Sequence, residues 1–526
     1  MRNFKTGASG SYEIVQGFYR RLGGMNTEQT FDKLSAHIRE TALLESASAL
    51  LQWDERTGLP AEAGAYRAQQ ITLLSGMIHR RKIDPRFGEQ LEMLSRGTAA
   101  NDSQSPVGAS IARLLKDFRR NSLLPVELVQ AISTATVLGQ QAWEKARASD
   151  NWAMFEPHLR TIFSLRRQEA EILQGEGSLY DALLDQYEEG ARSAALTQVF
   201  ASLRDELVEL VQALQGSNNP PQGTSWKREV PVPQQRQISR WIAERIGFNF
   251  QRGRLDETSH PFCTTLGPQD SRILTRYQAN YFPSAFYSTL HEAGHGLYEQ
   301  GLPTKWYGFP AGSYASLGVH ESQSRLWENF VGRSQAFWNW CFPEVVKRTD
   351  AWEGLDARTV YRDANRIEAS LIRVEADEVT YNLHILIRFE IEQALLTGAL
   401  SVADAPAAWN ERYEHYLGIK PTTHANGILQ DVHWGAGLIG YFPTYTLGNL
   451  YAAQLMEAMA RDLGDMSRLL KRGEFEPLLG WLREKIHRHG GCIHPVQLIE
   501  QACGQPLQSE PLVRYLREKL AAVYEL

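Results

Sequence analysis

Apolar residues recur three and four positions apart, with charged positions between them, over most of this chain. The clearest stretches are Glu28–Gln52, Ala61–Arg80, Val126–Ala148, Asn151–Gln174, Ala194–Leu214, Gln234–Arg245, Ala357–Thr397 and Ala403–Leu417. That spacing follows the turn of an α-helix, so each stretch predicts an amphipathic helix with one buried face. Strand-like alternation is scarce, and the fold class read from the pattern is mainly α. A small β-sheet is expected only in the aromatic, Gly-rich segments near 253–282 and 305–319. Two breaks stand out: Arg96–Pro106 is polar and Gly/Ser-rich, and Gly216–Pro233 carries Pro220, Pro221, Pro231 and Pro233. Both read as surface connections rather than linkers between domains. With no repeat or low-complexity tract, the pattern predicts one large helical unit with its site between two lobes.

Between the two sheet-forming segments lies a short helix whose polar face carries chemistry. Pro283 and Ser284 mark its start, and Gly301 with Pro303 its end. Within it, His291-Glu292-Ala293-Gly294-His295 places two imidazoles one turn apart with a carboxylate beside the first. Residues i and i+4 share a helix face, so His291 and His295 can hold one metal ion while Glu292 serves as general base to its water. A catalytic zinc site takes three protein ligands and leaves one position open, and His₂Glu is one such set. Glu321, 26 residues past His295, is the candidate for the third ligand. The Gly-, Pro- and aromatic-rich run Gly301–Ser313 lets the chain turn back, so a second helix over about 316–340 can bring Glu321 to the metal. Alone, such a Glu is ordinarily an exposed acid of an amphipathic helix. Its company decides otherwise.

Composition narrows the partners. Of 526 residues, 43% are hydrophobic and 22% charged, the balance of a globular protein with ample core. A net charge of −6 offers no basic footprint, which argues against nucleic acid. Cys263, Cys341, Cys492 and Cys503 show no C-x-x-C spacing and suit a reducing compartment. Residues 1–27 lack the apolar core of a secretory signal, and no run of about 18 apolar residues offers a membrane span. The expected address is cytoplasmic.

Three further groups carry candidate chemistry. Gly427–Trp434 combines Asp431, His433 and an indole, and leads through Gly435, Gly437 and Gly440 to Tyr441 and Tyr445. A His or Tyr there can steady the oxyanion of a peptide hydrolysis, although a lone His in such a run is more often structural. Arg373 and Asp377 sit one turn apart in a predicted long helix: either a plain ion pair, or an Arg turned into a cleft to hold a substrate carboxylate. His487, His489, Cys492 and His494 offer a second metal site, against the simpler reading of a polar loop around Gly490 and Gly491.

Taken together, these motifs resemble the carboxypeptidase Taq family of zinc metallocarboxypeptidases. Besides His291–His295 and His320-Glu321-Ser322-Gln323-Ser324, the chain carries Gly253–Asp256 leading to His260-Pro261-Phe262, then Asp270-Ser271-Arg272, Ile372–Asp377 and Gly427–Trp434, in family order. Nearer the N-terminus, Leu51-Gln52-Trp53-Asp54-Glu55 with Pro60 and Arg67–Gln70 matches the family's opening motif. The resemblance spans residues 28 to 526 as a single helical domain, and leaves 1–27 as an N-terminal extension. It implies a large two-lobed helical metallopeptidase fold with a deep central groove, removal of single C-terminal residues with broad specificity, and usually a homodimer. It also implies one divalent metal, zinc before cobalt or manganese, on His291, His295 and Glu321, with Glu292 as base. Arg373, with Arg272 as a second candidate, would recognise the terminal carboxylate, with His260 and Asp431 also on the substrate side. His433 with Tyr441 or Tyr445 would steady the oxyanion. Leu274 stands where the family has Thr, removing one polar contact near the groove. Two rivals stay open at this point: a related helical oligopeptidase or dipeptidyl carboxypeptidase, and a noncatalytic zinc-stabilised binding protein, which would have no use for Glu292.

Overall fold

A computed structural model describes residues 25–97, 100 and 102–526. The extension expected over residues 1–27 lies outside the described residues, save that helix α1 (Met25–Thr57) already includes its last three. Helices α2 (Gly64–Lys82), α3 (Pro85–Ser95) and α4 (Pro106–Leu123) follow, completing a small N-terminal lobe. Their starts are local: Asp84 accepts from Arg86 N and Ser105 from Gly108 N, each followed by a proline that fits the first helical position. This lobe has its own core, in which Phe31, Leu34, Ile38, Phe87, Leu91 and Ile111 pack with Phe309 reaching across from the main body.

The main body opens with α5 (Val126–Ala148), α6 (Trp152–Leu173), α7 (Leu179–Leu184), α8 (Ser193–Gln215) and α9 (Val232–Arg245), close to the predicted spans. A three-stranded sheet comes next, with β1 (Gly253–Glu257), β2 (Phe262–Gly267) and β3 (Asp270–Thr275) in the order β1-β3-β2. β3 is central, parallel to β1 and antiparallel to β2, and Ile273 faces Leu255 on one side and Cys263 on the other. Leu274 is wholly buried in that strand, so the position departing from the family's Thr is a core position here. The strand expected over 305–319 does not form. Gly308 adopts a left-handed φ of 87° and Pro310 opens a 3₁₀ turn at Pro310–Gly312, so the segment folds as turns instead of a ladder.

Helix α10 (Phe282–Gly301) carries the two histidines, and α11 (Leu317–Arg325) runs on into a short π-helical stretch, Leu326–Val331. The single helix expected over 316–340 therefore ends early, because Ser334 caps a fresh helix, α12 (Gln335–Val346), by accepting from Phe337 N. The long helix predicted over 357–397 is likewise two: α13 (Ala357–Ala364) and α14 (Thr380–Thr397). Local polar groups outcompete the helical ladder between them. The Asn365 amide donates to Tyr361 O and Arg333 O, and the Asp377 carboxylate accepts from Val379 N and Thr380 N. Arg373 sits on a one-turn 3₁₀ segment, Arg373–Glu375, and no helical Arg373–Asp377 pair exists.

The chain closes with α15 (Ala405–Leu417), an irregular run over 418–442, then α16 (Pro443–Leu463), α17 (Met466–Lys471), α18 (Glu476–Lys485), α19 (Pro495–Cys503) and α20 (Glu510–Tyr524). α10, α11, α14 and α16 form the heart of the main core. Between the lobes lies a cavity of about 1140 Å³, walled by Ile38, Thr41, Phe87 and Arg113 on one side and by His291, Glu292, Tyr441 and Tyr445 on the other.

Candidate metal centre and groove

On α10, His291 and His295 turn their Nε2 atoms toward one oxygen of Glu321, at 3.7 and 3.5 Å from Oε2. Ligand atoms of the three residues all lie within 4.8 Å of one another, the separations of donors around a single cation, and among the described residues no other His, Cys, Asp or Glu group does this. Their outward nitrogens are already engaged. His291 Nδ1 lies 2.8 Å from Glu328 Oε2 and His295 Nδ1 3.0 Å from His320 O. Each Nδ1–H therefore donates, which leaves the Nε2 lone pair directed inward, as metal-binding histidines require. Two imidazoles and a carboxylate, with a groove on the open side, are a donor set that fits one divalent ion.

Two glycines allow this convergence. A Cβ on Gly294 would stand 2.6 Å from Gln323 O and 2.6 Å from Ser324 Cα, so α10 and α11 touch backbone to backbone at that turn. On the far side, a Cβ on Gly448 of α16 would collide with Glu321 Cβ and Cγ. Helix α11 is thus seated between two helices that each lack a side chain where it passes, Gly294 facing residues 323 and 324 and Gly448 facing Glu321. The π-helical stretch beyond it carries Glu328, which reaches His291, and such insertions gather at functional sites.

Electrostatics divides the carboxylates by role. Glu292 is 6% exposed; burial pushes its carboxyl up to about 7, helped by Glu321 and Glu328 and opposed by His291. A cation alongside pulls in the opposite direction. Burial works against the charge of Glu328 as well, yet Arg325, His291 and Arg333 hold that carboxyl down at about 2.

Comparison with known proteins agrees with this geometry. The model of the carboxypeptidase Taq (M32) metallopeptidases matches residues 33–520. The chain belongs to that family. It is 42% identical over 509 residues to thermostable carboxypeptidase 1 of Thermus thermophilus, covering 95% of this chain and 100% of the relative. Carboxypeptidase 1 of Bacillus subtilis is 37% identical, over 93% of this chain and 97% of its own. Among solved structures, the M32 carboxypeptidase of Deinococcus radiodurans superposes with a TM-score of 0.91 at 38% identity, covering 95% of this chain and 100% of that one. The protein is a metallocarboxypeptidase, and the rival of a noncatalytic zinc-binding protein falls away.

Within this M32 carboxypeptidase, the remaining candidates separate into those the fold gathers and those it does not. Asp431 takes two guanidiniums: Arg373 donates to Oδ1 through Nη2 at 2.7 Å and Nε at 3.1 Å, and Arg388 to Oδ2 through Nε at 2.7 Å. Burial opposes ionisation, but the two arginines hold the Asp431 carboxyl well below its usual range. Asp431 is therefore committed to arginine rather than free for substrate. His433 Nε2 meets Tyr445 Oη at 3.2 Å, and burial together with Arg373 and Arg388 pushes the imidazole down to about 3, so it stays neutral. Tyr441 and Tyr445 border the cavity, while His433 and Arg373 lie one layer behind them. Arg272 pairs with Asp270 at 2.8 Å and lies over the Trp53 ring, away from the cavity wall. His260 is exposed on the β1–β2 turn, whose next residues, Pro261 and Phe262, do line the cavity. The C-terminal histidines do not assemble: His487 is buried against Gln323 Oε1 at 2.9 Å, while His494 lies at the surface.

Sequence reading missed Glu328, Arg325, Tyr381 and Arg388. The first two had a signal, since 321, 325 and 328 are spaced four and three apart, as neighbours on a helix are. Arg388 had none, being 43 residues from Asp431 and joined to it only by the tertiary fold.

Gly294→Ala tests the convergence. Alanine gains about 1 kcal/mol of helix propensity, but overpacking costs about 1–3 kcal/mol, so the clash decides. The variant should melt lower than the parent and lose its metal to a chelator more readily. Parent-like metal retention would mean that the α10–α11 approach does not set the site.

Proposed function

We propose that this carboxypeptidase removes single C-terminal residues from peptides, with broad specificity, using one divalent ion held by His291, His295 and Glu321. The observation that carries this reading is the inward triangle of two Nε2 atoms and Glu321 Oε2, with both Nδ1 atoms already bonded. The expected metal is zinc, with cobalt or manganese as alternatives. Bound there, it would supply a Lewis acid for the scissile carbonyl and lower the pKa of water.

The chain's own groups do the rest. Glu292, buried at the cavity wall, accepts the proton of the attacking water and returns it to the leaving amine. Tyr441 or Tyr445 donates to the oxygen that gains charge, with neutral His433 orienting the Tyr445 hydroxyl. Arg373 is the group assigned to the substrate's terminal carboxylate, and because its guanidinium is bonded to Asp431 behind the Tyr445 ring it acts through the charge it sets at the groove end. Two guanidiniums on one carboxylate leave a surplus positive charge beside Tyr445, and a groove end of that sign draws an anion. Arg272, which pairs with Asp270 and lies over the Trp53 ring off the cavity wall, is the second candidate for that role.

Glu292→Gln should keep its metal and lose about 10²–10⁴-fold in kcat, the usual share of a general base. Atomic absorption paired with turnover measures both; a metal-loaded variant of normal turnover rejects the base. Arg373→Ala should cost roughly 2–5 kcal/mol in kcat/KM, the range for truncating one member of a buried charge pair. Amidating the peptide C-terminus should hurt the parent comparably and the variant hardly at all. Should Arg373→Ala still prefer the free acid as the parent does, the anchor lies elsewhere.

A homodimer is the assembly we infer, through the α1–α2 hairpin. Helix α2 buries none of its residues, and Leu43, Tyr66 and Leu73 are 69%, 68% and 64% exposed on the pair. Apolar exposure of that extent on neighbouring helices marks a contact surface. The parent should sediment as a dimer and a Leu43→Glu, Leu73→Glu double variant as a folded monomer; a monomeric parent refutes the assembly. No single described helix is long and apolar enough to cross a membrane, and the four cysteines are all free thiols, which supports a reducing, cytoplasmic address.

A further inference from the structure

We propose that Arg325 is a positioning residue that restricts Glu321 to one-oxygen ligation and couples it to the His291 side of the centre. The inference rests on the His291, His295 and Glu321 site proposed above. Residues 321 and 325 are four apart on α11 and Glu328 follows three residues later in the π-helical stretch that continues it, and the three side chains meet. Arg325 Nε donates to Glu321 Oε1 at 2.7 Å. Its Nη1 reaches Glu328 Oε2 at 3.2 Å, the oxygen that also faces His291 Nδ1. One guanidinium therefore bridges a ligand carboxylate and the carboxylate that orients a ligand imidazole.

The division of Glu321 follows. Oε2 points at both Nε2 atoms, whereas Oε1 is tied up in a charge-assisted bond that a planar fork holds in a fixed direction. Ser324 Oγ is 3.4 Å from Oε2 but makes its short bond, 2.7 Å, to the Glu321 backbone carbonyl, so it does not compete. Arg325 has little room to let go. Its side chain is 12% exposed and its guanidinium lies 4.4 Å from the centre of the Tyr381 ring. Without Arg325, both oxygens of Glu321 are free to bind, and the centre loses a positive charge. A merely structural arginine would weaken metal binding when removed. This one, when removed, should leave binding as tight or tighter and change the number of ligands.

Cobalt is the probe, because the visible absorption of Co²⁺ weakens as coordination rises above four. The parent should bind one cobalt per chain with an intense band. Arg325→Ala should bind cobalt at least as tightly, with a band several-fold weaker, and kcat should fall while KM changes little. Arg325→Lys can hold Oε1 but cannot fork to Glu328, so its band should be intermediate; it decides the matter if the alanine variant does not fold. A band in the folded variants that superposes on the parent's, or a cobalt affinity lost in step with activity, overturns the proposal. His291→Ala separates this from failure of the underlying site: if that variant keeps the parent's cobalt band, the metal-site reading itself is wrong.

Discussion

Everything at this centre depends on two helices meeting without side chains between them. Packed helices normally stand 8–10 Å apart because side chains interdigitate. At Gly294 nothing interdigitates, and the backbone of residues 323 and 324 occupies the space a Cβ would take. That contact fixes the height of Glu321 relative to His291 and His295. The register of α11 is set independently at its first turn. Buried Glu188 accepts from Gly318 N at 2.9 Å and from Tyr451 Oη at 3.0 Å, joining the start of α11 to α16, and burial pushes its carboxyl up to about 7. With one end anchored and the middle in backbone contact, Glu321 has no freedom left except rotation of its own side chain, and Arg325 takes that.

Charge buried on this scale is poor evidence of stability, since desolvating two ions can cost as much as their attraction returns. Its value here is directional. Glu328 fixes an imidazole, Arg325 fixes a carboxylate, and Asp431 fixes two guanidiniums. The irregular run over 418–442 illustrates the same economy of means. It has no ladder to hold it, so buried side chains do so: Glu392 accepts from Trp434 Nε1 and Gly440 N, while Gln430 accepts from Arg373 N and donates to Leu371 O. His433 owes its place to these pins rather than to any local propensity.

How much of this the sequence disclosed depends on the range of the interaction. Helices with steady periodicity, such as Val126–Ala148, appear at their expected bounds because burial of one face and hydrogen bonding of the backbone favour the same conformation. The pattern failed where a side chain outbid the ladder: Asn365 and Asp377 split one predicted helix, Ser334 split another, and Gly308 with Pro310 turned an expected strand into 3₁₀ turns. The site divides the same way. His291, Glu292 and His295 are legible because four residues make one turn, and Glu321 was legible only through its chemistry. Arg373 and Asp431 were both noticed, but their partnership was not, since 58 residues separate them and the Arg373–Asp377 spacing suggested the wrong mate.

The metal side and the side to which we assign the reading of the carboxylate are joined through one ring. Tyr381 presents its ring to Arg325 and accepts from Arg373 Nη1 at 3.2 Å, so one aromatic side chain packs against both guanidiniums. An exopeptidase needs this more than an endopeptidase does, because the bond it cuts is defined by its distance from a chain end. If the anchor for the terminal carboxylate drifts relative to the metal, the scissile carbonyl drifts with it, and a displacement near 1 Å already costs about 10²-fold in rate. Loops would allow such drift. Here the proposed anchor, Arg373, sits on a 3₁₀ turn, Arg373–Glu375, but its guanidinium is clamped by Asp431, and Asp431 in turn by Arg388 on the buried helix α14. The Arg373–Asp431–Arg388 chain thereby gives a loop residue the positional certainty of a helical one, and that is the physical reason two arginines share a single acid behind the groove.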